Sequence, residues 1–257
     1  MHAPHRPSIH EIPVAGPDAG PYGITAGPDG ALWLTMVHAG QIARVTVDGD
    51  LTSYPLETPT CGPSIITAGP DGALWFTQMN TDRIGRITPD GAITEIALPV
   101  TRGFASMITA GPDRALWLTL NQANAIGRIT TDGDVTLHPL PTPNAAPVGI
   151  TLGADQALWF VEIGAGQIGR ITPDGKIQEF PLPDRAARPH AIVADPAGGC
   201  WFTEWGANRV GHITAAGEVH EHDLPTPSSE PHGIAVGPDG ALWVALEIGR
   251  IARLSPR

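Results

Sequence analysis

The sequence predicts an all-β fold, a six-bladed β-propeller of four-stranded repeats, and three observations carry that prediction. Tryptophan recurs at Trp33, Trp75, Trp117, Trp159, Trp201 and Trp243, a constant spacing of 42 residues. A period in the low forties built from short strands corresponds to one blade per repeat. Glycine and proline number 31 and 27 among 257 residues, which breaks helices and suits tight turns. No segment carries a helical period of apolar residues. WD and GH pairs do not recur, which separates these repeats from the WD40 subclass.

Turn chemistry places the elements within a repeat, as in residues 64–99. Ile65–Ala68 is the innermost strand, ended by Gly69-Pro70-Asp71-Gly72. Ala73–Gln78 is an apolar second strand, and Asn80-Thr81-Asp82 turns the chain into Arg83–Thr88. Pro89-Asp90-Gly91 supplies the Asp-Gly turn favoured between paired strands, and Ala92–Leu98 is outermost. The last repeat stops after its third strand, at RIARLSPR. Ile9–Val14 (IHEIPV) resembles the outer strands IQEFPL and ITEIAL, so the N-terminal strand is expected to complete the last blade. That closes the ring and removes two free edges. A single domain over 1–257 follows, with no evident need to assemble, hence a monomer.

Composition excludes several partners. Fifteen basic against 26 acidic residues give a net charge of −11, and Lys176 is the single lysine. Such a chain repels a phosphate backbone, so nucleic acid is not expected. No stretch approaches the ~18 apolar residues of a membrane span, and the start lacks a signal-peptide core. Cys61 and Cys200 form neither a disulfide framework nor a metal-site spacing. The expectation is a cytoplasmic protein without a membrane partner.

Function should reside where repeats sharing a scaffold disagree. In a propeller, the loops entering the innermost strands and those joining the second and third strands share one face. Eleven positions before the in-phase Trp stand Tyr22, Ser64, Ser106, Val148, His190 and His232, a ring around the channel mouth. Two positions earlier stand Gly20, Gly62, Phe104, Ala146, Arg188 and Glu230. With the sixth blade beside the first, Arg188-Pro189-His190, Glu230-Pro231-His232 and Gly20-Pro21-Tyr22 are expected to be neighbours. In the second loop, Glu162 and Glu204 lie three residues after Trp, whereas Glu247 lies four after Trp243 in a loop one residue shorter. That shift should alter where its carboxylate points, and Glu247 and Glu230 come from the same blade and the same face.

Two carboxylates beside histidines suit a hard divalent cation such as Mg²⁺, or Zn²⁺ held by a His₂Glu set. A neutral histidine there can act as a general base. Trp205, out of phase with the others, offers a flat contact near the mouth. Cys200 replaces the Leu of the other repeats and reads as a buried apolar substitute. Lys176 falls on the opposite face.

GPYGIT at 20–25, NAIGRIT at 124–130, APVGIT at 146–151, RPHAI at 188–192, WFTEWGAN at 201–208, EPHGI at 230–234 and the Trp243-to-Glu247 segment resemble the virginiamycin B lyase family. The similarity runs over nearly the whole chain. It implies linearisation of type B streptogramins, cyclic hexadepsipeptides, by elimination at the lactone ester without hydrolysis. By resemblance His232 is the general base, Glu230 and Glu247 bind Mg²⁺, and His190 orients the substrate ester. Tyr22 and Trp205 resemble family positions near the antibiotic. Typical members of the family have seven blades, so one early repeat is absent here. Two other functions remain open on the same face: a metal-dependent lactonase or esterase, and a noncatalytic propeller binding peptides or proteins.

Overall fold

The computed structural model describes residues 18–237 and 240–254. Among them the regular elements are 23 β-strands in six antiparallel sheets, five of four strands and one of three. The blades span 21–55, 63–97, 105–139, 147–181, 189–223 and 231–254. In each, consecutive strands are hydrogen-bonded neighbours. The second blade shows how closely turn chemistry locates the strands: Pro63–Ala68, Leu74–Gln78, Arg83–Ile87 and Ile93–Ala97. The ends shift by one or two residues because ladder bonds, rather than turn residues, define them.

Packing between blades makes the core. Leu74–Gln78, Leu116–Leu120 and Leu158–Glu162 are buried at every position, since each is covered on both faces by neighbouring blades. Trp33, Trp75, Trp117 and Trp159 are 0–1% exposed. Burying an indole of this size is worth on the order of 4 kcal/mol of transfer free energy. The Gly-Pro-Asp-Gly turn does more than reverse the chain. Trp117 Nε1 donates to Asp113 Oδ1 at 3.0 Å, and Arg128 Nε donates to Asp113 Oδ2 at 2.6 Å. The same clasp joins Asp29, Asp71 and Asp155 to their Trp and Arg. In the fifth blade His212 replaces the Arg, its Nε2 3.0 Å from Asp195 Oδ2.

A second recurring device is a threonine two residues after Trp. Each innermost strand has a register irregularity opposite it, as between Pro189 and Ile192. Thr203 Oγ1 accepts Ala191 N–H there at 3.0 Å and donates to His232 O on the next blade, also at 3.0 Å. Thr119 likewise donates to Val148 O at 2.6 Å. The fourth and sixth blades have Val161 and Ala245 at this position and lack the hydroxyl.

Packing runs in order from the first blade to the sixth, with no equivalent packing of the sixth on the first among the described residues. On the first blade Ile24 and Leu32 are 60% and 41% exposed; on the sixth Trp243 and Ile251 are 36% and 69% exposed. These belong to the two faces that a closed ring would press together. The expected closing strand, Ile9–Val14, lies outside the described residues. Cys200 is fully buried, as its apolar neighbours suggest, and Lys176 pairs with Asp174 in an exposed turn.

Candidate active site

The site is built from two loop positions that the repeat holds fixed. The residue before each innermost strand has a left-handed backbone, with φ between 50° and 63° at Gly20, Gly62, Phe104, Ala146, Arg188 and Glu230. Glycine adopts this region freely, and other residues do so at a cost of about 1 kcal/mol. Arg188 and Glu230 accept that cost at the rim, a pattern common at functional positions. The carbonyl of this residue accepts the N–H of the residue four after Trp: Trp205 N to Arg188 O at 3.1 Å, and Glu247 N to Glu230 O at 3.3 Å.

That backbone bond aligns Glu247 with Trp205, not with Glu162 or Glu204. Side chains alternate across a strand, so one position decides the direction. Glu162 and Glu204, at the ends of Leu158–Glu162 and Cys200–Glu204, turn into the blades and are 0% exposed. They are not on the open face. Glu247 opens outward, with its side chain 53% exposed.

Four predicted residues converge. The rings of His190 and His232 pack edge to face with centroids 4.4 Å apart, and Trp205 stands 6.0 Å from His232. His232 Nε2 lies 2.9 Å from Glu247 Oε1, close enough for an ion pair. That nitrogen is buried and has no hydrogen-bond partner. Buried and without a hydrogen-bond partner are also His190 Nδ1 and Trp205 Nε1. Such atoms call for an explanation, and a bound polar ligand supplies one. Burial, and then the neighbouring His232, hold His190 below the usual histidine range, while Glu247 opposes them. His190 is therefore neutral near pH 7.

Glu230 has its pKa raised, first by a carboxylate–carboxylate hydrogen-bond contact with Glu247, then by desolvation and the charge of Glu247. Two carboxylates this close need a proton or a cation between them. Among the described residues no group of three His, Cys, Asp or Glu side chains forms a ready metal site. The carboxylate pair fits Mg²⁺ completed by water and substrate oxygens.

Tyr22 is 63% exposed and lines a central cavity of about 320 Å³ together with Ser64, Phe104, Ser106, Val148 and His190. Five of the six expected channel-mouth residues share this cavity; His232 does not line it, and among the described residues the first blade is not packed beside the sixth as expected. A second cavity of about 300 Å³ is lined by Trp205, Asn208, Ser228 and Glu230. Sequence reasoning passed over Arg188 as a site residue. Its guanidinium lies 5.4 Å from the Trp205 ring centroid. It also missed Asn208, whose Oδ1 accepts both Ser229 N–H at 2.7 Å and the Ser229 hydroxyl at 2.6 Å, fixing the turn before Glu230. The signal for Arg188 was its place in the Glu230 column.

Fold and site together define a β-propeller with a histidine pair and a carboxylate pair at one side of its channel mouth. The chain belongs to the virginiamycin B lyase family, whose profile matches residues 7–77 and 41–254. It is 48% identical to a virginiamycin B lyase from Staphylococcus aureus, with a TM-score of 0.93 over 97% of this chain and 85% of that one. A structure of a catalytically inactive histidine-to-alanine form of the S. aureus lyase with quinupristin is 47% identical, with a TM-score of 0.90 over 94% of this chain and 82% of that one. The virginiamycin B lyase of Saccharopolyspora erythraea is 60% identical over 47 residues, 18% of this chain and 15% of the relative. The chain thus matches the curated relatives over a small part of their length.

Proposed function

We propose that this protein is a carbon–oxygen lyase that linearises type B streptogramin antibiotics, using Mg²⁺. The convergence of His190, His232, Glu230 and Glu247 on one patch carries this reading. The quinupristin held by its S. aureus relative supports the substrate class.

His232 Nε2 is the base. It takes the α-proton of the threonine residue whose side-chain oxygen forms the lactone. The electron pair becomes the Cα=Cβ bond, the Cβ–O bond breaks, and the ester leaves as a carboxylate. No water is consumed. Glu230 and Glu247 would hold Mg²⁺, which when bound would stabilise negative charge developing at the substrate carbonyl. Glu247 also faces His232 and stabilises the imidazolium formed by proton transfer. Neutral His190 orients the ester through its unpartnered Nδ1, and Trp205 and Tyr22 offer ring faces to the antibiotic.

We also propose that residues 9–14 complete the sixth blade, and that the protein works as a cytoplasmic monomer. The 42-residue register of that segment supports the first statement. Among the described residues no helix is long and apolar enough to cross a membrane.

Mass spectrometry of a type B streptogramin incubated with the protein, with Mg²⁺ or with EDTA, tests the reading. A linear product isobaric with substrate, formed only with Mg²⁺ and absent with His232→Ala, is expected. A product heavier by one water would establish a lactonase instead. Binding without turnover, indifferent to EDTA, would make the propeller a noncatalytic receptor.

A further inference from the structure

The fifth blade contains a buried acid that the proposed chemistry does not use. Glu204 is 0% exposed, and neither carboxyl oxygen has a hydrogen-bond partner. Across the blade stands Glu221, within hydrogen-bond reach, whose Oε1 is also buried and unpartnered. Arg209 Nη1 lies 3.4 Å from Glu221 Oε2, and its Nε is engaged by Asp223 at 2.9 Å.

The second blade shows the same arrangement complete. Gln78 stands where Glu204 does, Glu95 where Glu221 does, and Arg83 where Arg209 does. There Gln78 Nε2 donates to Glu95 Oε1 at 2.8 Å, and Arg83 Nη1 lies 3.3 Å from Glu95 Oε2. The fifth blade therefore lacks one thing, a hydrogen between Glu204 and Glu221 Oε1. We propose that Glu204 carries a resident proton at neutral pH and donates it to Glu221, fixing the strand end that presents Trp205.

The consequence reaches the site through the backbone. Glu204 precedes Trp205 and pairs with Pro189, the neighbour of His190. It is a positioning residue, held neutral in the way a buried acid beside another acid must be. Burial first, then Glu221, push its carboxyl up to about 8; Asp184 acts in the same direction and Arg209 against it. A carboxyl raised from 4.5 to about 8 on folding gives stability that is present below 4.5 and lost as pH rises through 8. Above that pH two buried carboxylates repel beneath Trp205.

Glu162 is also raised to about 8, chiefly by burial, so the test uses a Glu162→Gln background. In that protein the folding equilibrium constant should fall by up to tenfold per pH unit between 4.5 and about 8, and Trp205 fluorescence, identified by difference from Trp205→Phe, should change as the folded protein loses this proton around pH 8. Adding Glu204→Gln, which copies the second blade, should remove the fluorescence change and flatten the stability slope to the part contributed by Glu230. Persistence of both would overturn the proposal. So would their reversal by added Mg²⁺ or Ca²⁺, which would put a cation where the proton is assigned. Should the double variant not fold, the infrared carbonyl band of one buried carboxylic acid in the Glu162→Gln protein, bleaching near pH 8, is the expected result; its absence at pH 7 overturns the assignment. None of these readings needs a substrate, so they stand or fall apart from the lyase assignment.

Discussion

Thr203 Oγ1 donates to the backbone carbonyl of His232 at 3.0 Å, tying the fifth blade to the residue assigned as base on the sixth. The same hydroxyl accepts the N–H of Ala191, beside His190. One side chain thus sets the spacing of both histidines. The fourth blade carries Val161, fully buried, at this position, so the shape of valine is tolerated. Thr203→Val should cost about 1 kcal/mol and lower the melting temperature by a few degrees. Turnover should fall by more than that stability loss accounts for, because the histidines are no longer fixed relative to one another. Scanning calorimetry and kcat measured well below the melting temperature separate the two effects; equal activity in the variant would remove Thr203 from the positioning of the site.

Glu230 holds a left-handed backbone at φ 51°, where the first two blades have glycine. Glu230→Gly relieves that conformation while deleting a carboxylate. Denaturant unfolding should show a stability change between zero and a gain of about 1 kcal/mol, since added unfolded-state freedom offsets part of the relief. Mg²⁺-dependent turnover should be lost. A protein stable and fully active without this carboxylate would end its role as a metal ligand.

The Asp–Arg–Trp clasps make an acid-sensitive limb. Burial alone would raise Asp113, but hydrogen bonds from Trp117 and Arg128 outweigh it and hold its carboxyl below the usual 3.8. Asp29, Asp71 and Asp155 behave alike. A carboxyl lowered on folding contributes stability above its unfolded pKa and loses it as pH falls through the folded one. Unfolding free energy should therefore drop below about pH 4. Asp113→Asn should lower stability at pH 7 and make that drop shallower. An unchanged acid limb would assign acid unfolding to other carboxylates.

The exposed faces of the first and sixth blades bear on ring closure. The S. aureus structure superposes with a TM-score of 0.93 while about one repeat's length of it stays unmatched. Among the described residues the sixth blade does not pack on the first as successive blades pack on one another. In the repeat register, Ala252 stands opposite the position of Glu11, as Gly85 stands opposite Glu95. The pair Glu11→Cys and Ala252→Cys should oxidise to a disulfide within one monomer if residues 9–14 complete the sixth blade. Disulfide-linked dimers would mean that a second chain supplies the strand. No cross-link at all would sink the closure.

The sequence by itself determined where the strands of each repeat lie and which loop residues depart from the repeat. A 42-residue period fixes which residues are equivalent, and equivalence shows that His190, His232 and Glu230 are departures from a scaffold. The one-residue shift of Glu247 was legible for the same reason, and the backbone bond from Glu247 to Glu230 gives it physical form. Glu162 and Glu204 were not legible in this way. Whether a carboxylate at a strand end meets water or a neighbouring blade depends on pleat direction, which only the folded ladder decides. Sequence likewise read the turn aspartates as reversals, although they anchor tryptophans from four or six residues away. Curvature was the largest feature left to tertiary structure. The angle between blades comes from side-chain volumes packed across every blade interface at once, and no repeat encodes it alone.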